Sequence, residues 1–260
     1  MVAPIDPNGI NKAGAPPTLD HTLDSWGYVM AATDRRRVIL GVALAAGALI
    51  GVLLAAFLLI RLGGHNIHDN AQQGFIRSAE LGPAALQDSI RNRGVRSVLR
   101  LVGTDERNVE QYEQEVAVCK RLGVPHFMAK MAATRLPYRS EIRAVFEALD
   151  AIHADPSLQP VLIHCNAGSD RTGLVSVIWL HDYRGAPLAE AREQLAFGPY
   201  MHVAIAGPAS MGEFLDRYES FLAANPGAGL NIQQWVRLHY HEEKPGREAQ
   251  PWPDTAVNLR

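Results

Sequence analysis

Residues 161–173, Val-Leu-Ile-His-Cys-Asn-Ala-Gly-Ser-Asp-Arg-Thr-Gly, constrain this chain more than any other stretch. The apolar run from Pro160 to Ile163 predicts a buried strand that delivers His164 and Cys165 to its C-terminal end. Five residues separate Cys165 from Arg171, and Thr172, Gly173 and the apolar run Leu174–Leu180 predict a helix directly behind. A strand, a tight loop and a helix start bring backbone N–H groups to one point, where they and the helix dipole favour negative charge. A cysteine in that field has its thiolate stabilised, so its pKa is expected well below the free-thiol value of about 8.5. The thiolate is the expected nucleophile, and the planar fork of Arg171 can hold two oxygens of one oxyanion. The alternative, a buried structural thiol beside a surface arginine, leaves the glycines and the helix behind them unexplained.

A second feature bounds the architecture. From Val38 to Ile60 there is no charged residue, and a bilayer core about 30 Å thick needs about 20 apolar residues at a rise of 1.5 Å each. The run exceeds the about 7–15 residues of a signal-peptide core, which predicts an uncleaved anchor. Arg35, Arg36 and Arg37 precede it and Arg61 alone follows. The positive-inside bias then leaves the N-terminus cytoplasmic and everything after Arg61 on the extracytoplasmic (periplasmic) side of the membrane.

This divides the chain into a disordered tail over 1–34, a transmembrane anchor over 35–62, a linker over 63–74, a catalytic domain over 75–241 and a loose, proline-containing tail over 242–260. Leu23–Met30 could engage a partner, but a solvated tail is the simpler reading. A formal net charge of −2 gives no reason to expect a nucleic-acid partner. Two cysteines, Cys119 and Cys165, make neither a disulfide framework nor a zinc pattern. His65 and His68 lack a third ligand and read as polar linker residues.

Within the catalytic domain strands alternate with helices. Strands are expected at Phe75–Ala79, Ser97–Val102, Val124–Met131 and Pro160–Cys165. Helices are expected at Pro83–Arg93, Asn108–Leu122, Tyr138–Ala154, Arg171–Tyr183, Pro187–Phe197, Ala209–Ala223 and Leu230–Tyr240. Gly94 and Gly123 stand where helices end. Ile142, Val145, Phe146, Leu149 and Ile152 form a core stripe, and Cys119 reads as a small buried apolar residue. The fold class is α/β, a parallel-core sheet flanked by helices behind one N-terminal transmembrane helix, with its chemistry at the C-terminal strand ends.

His164-Cys165, five residues and Arg171-Thr172-Gly173, with Gly168 inside, resembles the signature loop of the cysteine-dependent protein tyrosine and dual-specificity phosphatases. Phe75–Leu81 and Ser97–Leu101 are similar to the opening of bacterial dual-specificity-like members, which often follow one membrane anchor; the resemblance spans roughly 66–240. It implies phosphoester hydrolysis through a phosphocysteine on Cys165. The N–H groups of Asn166, Ala167, Gly168, Ser169, Asp170 and Arg171, with the Arg171 guanidinium, would hold the phosphoryl oxygens. Thr172 would donate to the Cys165 sulfur, His164 would bond the loop backbone, and no metal or cofactor is required.

The acid departs from the common pattern. The usual aspartate on a preceding loop has no counterpart in Met131–Ser140. Asp170, inside the loop, resembles the loop aspartate of myotubularin-type lipid phosphatases and some secreted bacterial tyrosine phosphatases, and is the expected general acid. Its alternative is a partner for Arg171 or Arg135, with Asp105 and Glu141 as reserve acids. Substrates are phosphorylated proteins or small phosphoesters. Loops acting on inositol lipids commonly add a lysine where Ser169 stands, although Arg135 and Arg139 could supply cations at the mouth. A non-catalytic phosphate-binding membrane module and a rhodanese-type sulfur-transfer domain are the rival classes. The intact Cys165–Arg171 pair disfavours the first, and the Arg-Thr-Gly opening of the helix disfavours the second.

Overall fold

The computed structural model describes residues 37–56, 65–105, 108–205 and 207–244. The expectations for the tail 1–34, the flanking Arg35, Arg36 and Arg61, the last residues of the apolar run (57–60) and the chain end from 245 lie outside the described residues. The chain divides into two units, Met1–Phe57 and Leu58–Arg260. In the first, helix α1 (Arg37–Ala56) has 20 residues and a mean hydropathy of 2.7, and is long and apolar enough to cross a membrane. Its side chains are exposed along its whole length.

The second unit holds a five-stranded sheet in the order β1-β2-β5-β3-β4. The strands are β1 (His68–Asn70), β2 (Phe75–Ala79), β3 (Ser97–Arg100), β4 (His126–Met128) and β5 (Val161–Cys165). β2, β5, β3 and β4 run parallel, and β1 joins β2 antiparallel. The expected α/β class is therefore observed, with one strand more than expected. That strand corrects the linker over 63–74. His68 pairs with Arg77, and Asn70 with Phe75. Its polar sequence hides it because only one side of an edge strand is paired, so it needs no apolar run.

Helices α2 (Pro83–Asn92), α3 (Val109–Leu122), α4 (Arg139–Ala154), α5 (Asp170–Ile178), α6 (Leu188–Ala191), α7 (Ala209–Ala224) and α8 (Ile232–His239) complete the unit. Two expected helices are broken. α5 passes into a π-helical turn at Trp179–Tyr183, and α6 tightens into a 3₁₀ turn at Arg192–Leu195. That second turn lies hard against α5, for a Cβ on Gly173 would stand 2.6 Å from Leu195 Cδ2 and 2.8 Å from the Gln194 carbonyl. Asn231 caps α8, its side chain accepting from Gln234 N, and Asp182 accepts from Ile232 N and Gln233 N.

Strand periodicity then distributes the chemistry. β5 lies between β2 and β3 and is covered on both faces, so its residues are apolar almost throughout. Val161, Ile163 and Cys165 join the larger cluster with α4, α5, α7 and α8, whereas Leu162 joins the smaller cluster with α2 and α3. His164 therefore faces α3, as does Arg100 next to Val98 on β3. Glu115 of α3 meets both, Arg100 Nη1 at 2.9 Å and His164 Nε2 at 3.1 Å, with His126 Nε2 at 2.6 Å. Arg100 also pairs with Glu80 at 2.5 Å.

Burial alone would raise the Glu115 pKa. The His164 charge, the hydrogen bonds from His126 and His164 and the Arg100 charge outweigh it and hold the carboxyl well below the usual range. A depressed carboxylate stabilises the fold above its unfolded pKa and loses that contribution as pH falls toward its folded value. Glu115→Gln should cost about 3 kcal/mol at pH 7 by leaving Arg100 under-compensated. In urea titrations the gap to the parent protein should narrow as pH drops below about 4.3; a gap that does not change with pH contradicts this.

Candidate functional site

β5 ends at Cys165 and α5 begins at Asp170, so Asn166–Ser169 form the loop between them. Arg171 and Thr172 lie on the first helical turn. Cys165 is 2% exposed at the base of the loop. Gly168 has φ +70°, and a Cβ there would stand 2.5 Å from both Ala79 N and Ser78 C. The loop rests directly on the end of β2, in a conformation and at a distance that only glycine accommodates.

Each backbone carbonyl of the loop accepts a hydrogen bond from outside it. Asn166 O accepts from Glu80 N at 3.2 Å, and Ala167 O from Asn66 Nδ2 at 3.0 Å. Gly168 O accepts from Arg77 Nη2 at 2.8 Å. Ser169 O accepts from the same nitrogen at 3.3 Å and from Gly173 N at 3.0 Å. In a trans peptide the following N–H points away from the carbonyl. Four carbonyls drawn onto the scaffold therefore turn the N–H groups of Ala167, Gly168, Ser169 and Asp170 to the opposite side. The result is a nest of N–H groups beside a helix N-terminus, an arrangement able to hold an anion.

Arg77 is the chief holder. It is fully buried on β2, its Nη1 donates to Gln194 O (2.7 Å) and Oε1 (2.9 Å), and its guanidinium lies 3.9 Å over the Tyr200 ring. Burial pulls its pKa down to about 10, opposed by Tyr200, Cys165 and Asp170, so it stays charged at neutral pH. Asn66, 7% exposed, ties the segment before β1 to the loop through Ala167 O and also donates to Tyr200 O at 3.2 Å.

Arg171 Nη1 donates to Leu101 O (3.3 Å) and Met131 O (3.2 Å), fixing the guanidinium between the ends of β3 and β4. It borders a cleft of about 660 Å³, also lined by Asn166, Lys130, Asp105, Asn108 and Thr134. Thr172 Oγ1 is buried without a hydrogen-bond partner. Asp170, with its side chain 20% exposed, pairs neither with Arg171 nor with Arg135; its Oδ1 lies 2.8 Å from Nδ1 of His202.

Several expectations need correction. His164 bonds Glu115 and not the loop backbone, because strand alternation turns it toward α3. Arg135 does not line the cleft; it forms a two-point pair with Glu141 at 2.8 Å for each bond and lies 3.4 Å over the Tyr138 ring. Arg139 instead donates to Arg237 O. Glu141 also accepts from Tyr138 N at the start of α4, so it is a capping residue away from the cleft. Asp105, the other reserve acid, does line the cleft, with its Oδ1 accepting from Asn108 Nδ2. Cys119 is a buried thiol whose pKa is pushed up to about 12 by burial and by Glu115, as suits an inert packing residue.

Sequence reasoning assigned no role to Asn66, Arg77, Glu115, Lys130, Tyr200 or His202. Arg77 carried a usable signal, since an arginine inside a strand of otherwise apolar or small residues must find buried partners. If the outward carbonyls build the site, Gly168→Ala should lose binding of tungstate, a phosphate mimic, by calorimetry with unchanged far-UV circular dichroism. Undiminished binding contradicts the geometry.

The model of the tyrosine phosphatase family matches residues 62–184. No curated protein matches the chain. Among solved structures it is similar to TpbA of P. aeruginosa, at 21% identity over 62% of this chain and 92% of that one, with a TM-score of 0.44. It is also similar to the core catalytic domain of the PP-IP phosphatase SIW14 of S. cerevisiae, at 18% identity over 64% and 96%, with a TM-score of 0.43. Residues 62–184, which carry β1, β2, the loop and α5, match the tyrosine phosphatase family, and the match supports a phosphatase, a phosphoester hydrolase.

Proposed function

We propose that the protein is a membrane-anchored, cysteine-dependent phosphatase of the protein tyrosine and dual-specificity type. The observation that carries this is the set of four N–H groups turned away from the scaffold in the loop that follows Cys165, with Arg171 fixed at the start of the next helix. Cys165 attacks phosphorus in line. The S–P bond forms as the bond to the leaving oxygen breaks, and that bond's electron pair goes to the oxygen, which takes a proton from Asp170. Water then attacks the phosphocysteine, Asp170 accepts the water's proton, and the thiolate departs with inorganic phosphate as the other product. The loop N–H groups of Asn166–Arg171 and the Arg171 guanidinium hold the equatorial oxygens, where negative charge sits throughout.

Thr172, with its hydroxyl lacking any other partner, donates to the departing sulfur in the second step. His164 holds the end of β5 through Glu115 and takes no proton. Asp105 is the rival acid because it lines the cleft, which Asp170 does not. Lys130 lines the same cleft as Arg171 and supplies a cation that the loop lacks at Ser169. That favours, as a second reading, phosphoinositides or other small phosphoesters carrying a further anionic group.

The experiment is phosphate release by the full-length protein in detergent, from phosphotyrosine and phosphoserine peptides, an inositol-lipid panel and aryl phosphates. Cys165→Ser should abolish turnover. Asp170→Asn should lower kcat/KM about 100-fold for phenyl phosphate, whose leaving group has a pKa of about 10, while sparing 2,4-dinitrophenyl phosphate. If Asp105→Asn gives that pattern instead, Asp105 is the acid. Tungstate binding without turnover of any substrate would leave a phosphate-binding membrane module.

The three arginines before the apolar run that starts at Val38 orient the domain away from the cytoplasm. Protease added to bacterial spheroplasts expressing the protein should digest the domain without lysis. Protection until lysis would reverse the orientation.

A further inference from the structure

We infer that His202 is a positioning residue for the proton transfer at Asp170, an inference that rests on Asp170 being the general acid proposed above. His202 lies in the irregular segment between the 3₁₀ turn after α6 and α7, far from the signature loop in sequence. Its Nδ1 nevertheless stands 2.8 Å from Asp170 Oδ1, with the imidazole 4% exposed and the carboxylate 20% exposed. A histidine so enclosed with a polar partner is held in one orientation, and so is the carboxylate.

The neighbouring residues anchor this segment to the same loop. Tyr200 packs its ring against Arg77, accepts from Asn66 Nδ2 through its carbonyl and from Gln194 Nε2 through its hydroxyl. Met201 takes up φ +59°, a conformation rare outside glycine, between Tyr200 and His202. His202 N donates to Ala196 O at 3.3 Å. The segment thus packs at Tyr200 on Arg77 and Asn66, the two side chains that hold the loop, and presents one imidazole nitrogen to Asp170.

This arrangement solves a problem specific to an acid carried by the phosphate loop itself. Asp170 is the first residue of α5, where the helix dipole and the nest N–H groups attract its carboxylate toward the site that the phosphoryl group must occupy. A hydrogen bond from His202 to Oδ1 draws the carboxylate aside and leaves Oδ2 to carry the proton to the leaving oxygen. The bond, not the charge of His202, is what the inference requires. Asparagine at 202, whose amide nitrogen occupies the place of Nδ1, should therefore substitute for it.

The test compares kcat/KM, which reports only steps up to phosphocysteine formation, on phenyl phosphate and 2,4-dinitrophenyl phosphate. Full-length parent protein, His202→Ala, His202→Asn, Asp170→Asn and the double variant Asp170→Asn/His202→Ala are measured together. The ratio of the two substrates is independent of how much of each preparation is folded. His202→Ala should lower the phenyl phosphate value about 10-fold or more and spare the dinitrophenyl one, His202→Asn should restore most of the loss, and His202→Ala should add nothing once Asp170 is asparagine.

Equal losses on both substrates, no rescue by asparagine, or an additive loss in the double variant would overturn the inference while leaving Asp170 as the acid. Equal effects of Asp170→Asn itself on the two substrates would be a different failure. It would remove the proposed acid, and the role of His202 with it.

Discussion

A trans peptide carries one polar group on each side, so a loop that offers several N–H groups to one point must dispose of an equal number of carbonyls. Everything around residues 166–169 serves that requirement. Two carbonyls are taken by the buried Arg77, one by Asn66 and one by the backbone of Glu80. Each hydrogen bond to a charged donor contributes about 1.5–3 kcal/mol, and an unmade bond in a buried site costs comparably, so the loop has little freedom to turn its peptides over. The nest is therefore preorganised: its donors are already aligned before an anion arrives, which is the condition under which such donors stabilise a transition state most.

The sheet makes this possible through its two faces. Alternation along β2 and β5 sends Arg77 and Cys165 to the α5 side, where loop, helix start and thiol meet. The same alternation sends His164 and Arg100 to the α3 side, where Glu115 binds both. One face carries the proposed site and the other fixes the strand that leads to it. The buried ionic cluster around Glu115 is not an efficient source of net stability, since desolvation offsets much of its attraction. Its effect is to fix the strand ends, because Arg100 and His164 cannot shift without leaving Glu115 uncompensated.

Much of this was legible in the sequence, for identifiable reasons. Cys165, Arg171, Gly168 and the strand and helix around them form one contiguous stretch, and local spacing is what a sequence displays best. The apolar stripe of α4 and the caps at Gly94 and Gly123 were legible on the same ground. What escaped depends on pairing at a distance. Asn66 and β1 look like a polar linker because an edge strand needs no apolar pattern, yet Asn66 lies 101 positions from the carbonyl it holds. His202 reaches Asp170 across 32 positions from an irregular segment with no periodicity to mark it. Arg135 and Arg139 were misread as mouth residues because charge alone does not reveal a partner; Glu141 and the Arg237 carbonyl occupy them.

The central claim is that Cys165 carries the phosphoryl group between the two half-reactions. It is tested most directly by acid-quenching the full-length protein during turnover of a phosphotyrosine peptide and locating the modification by mass spectrometry. The account predicts a phosphoryl group on the Cys165 peptide alone, absent from Cys165→Ser. Release of inorganic phosphate with no modified Cys165 at any quench time, or with the group on another residue, would contradict it.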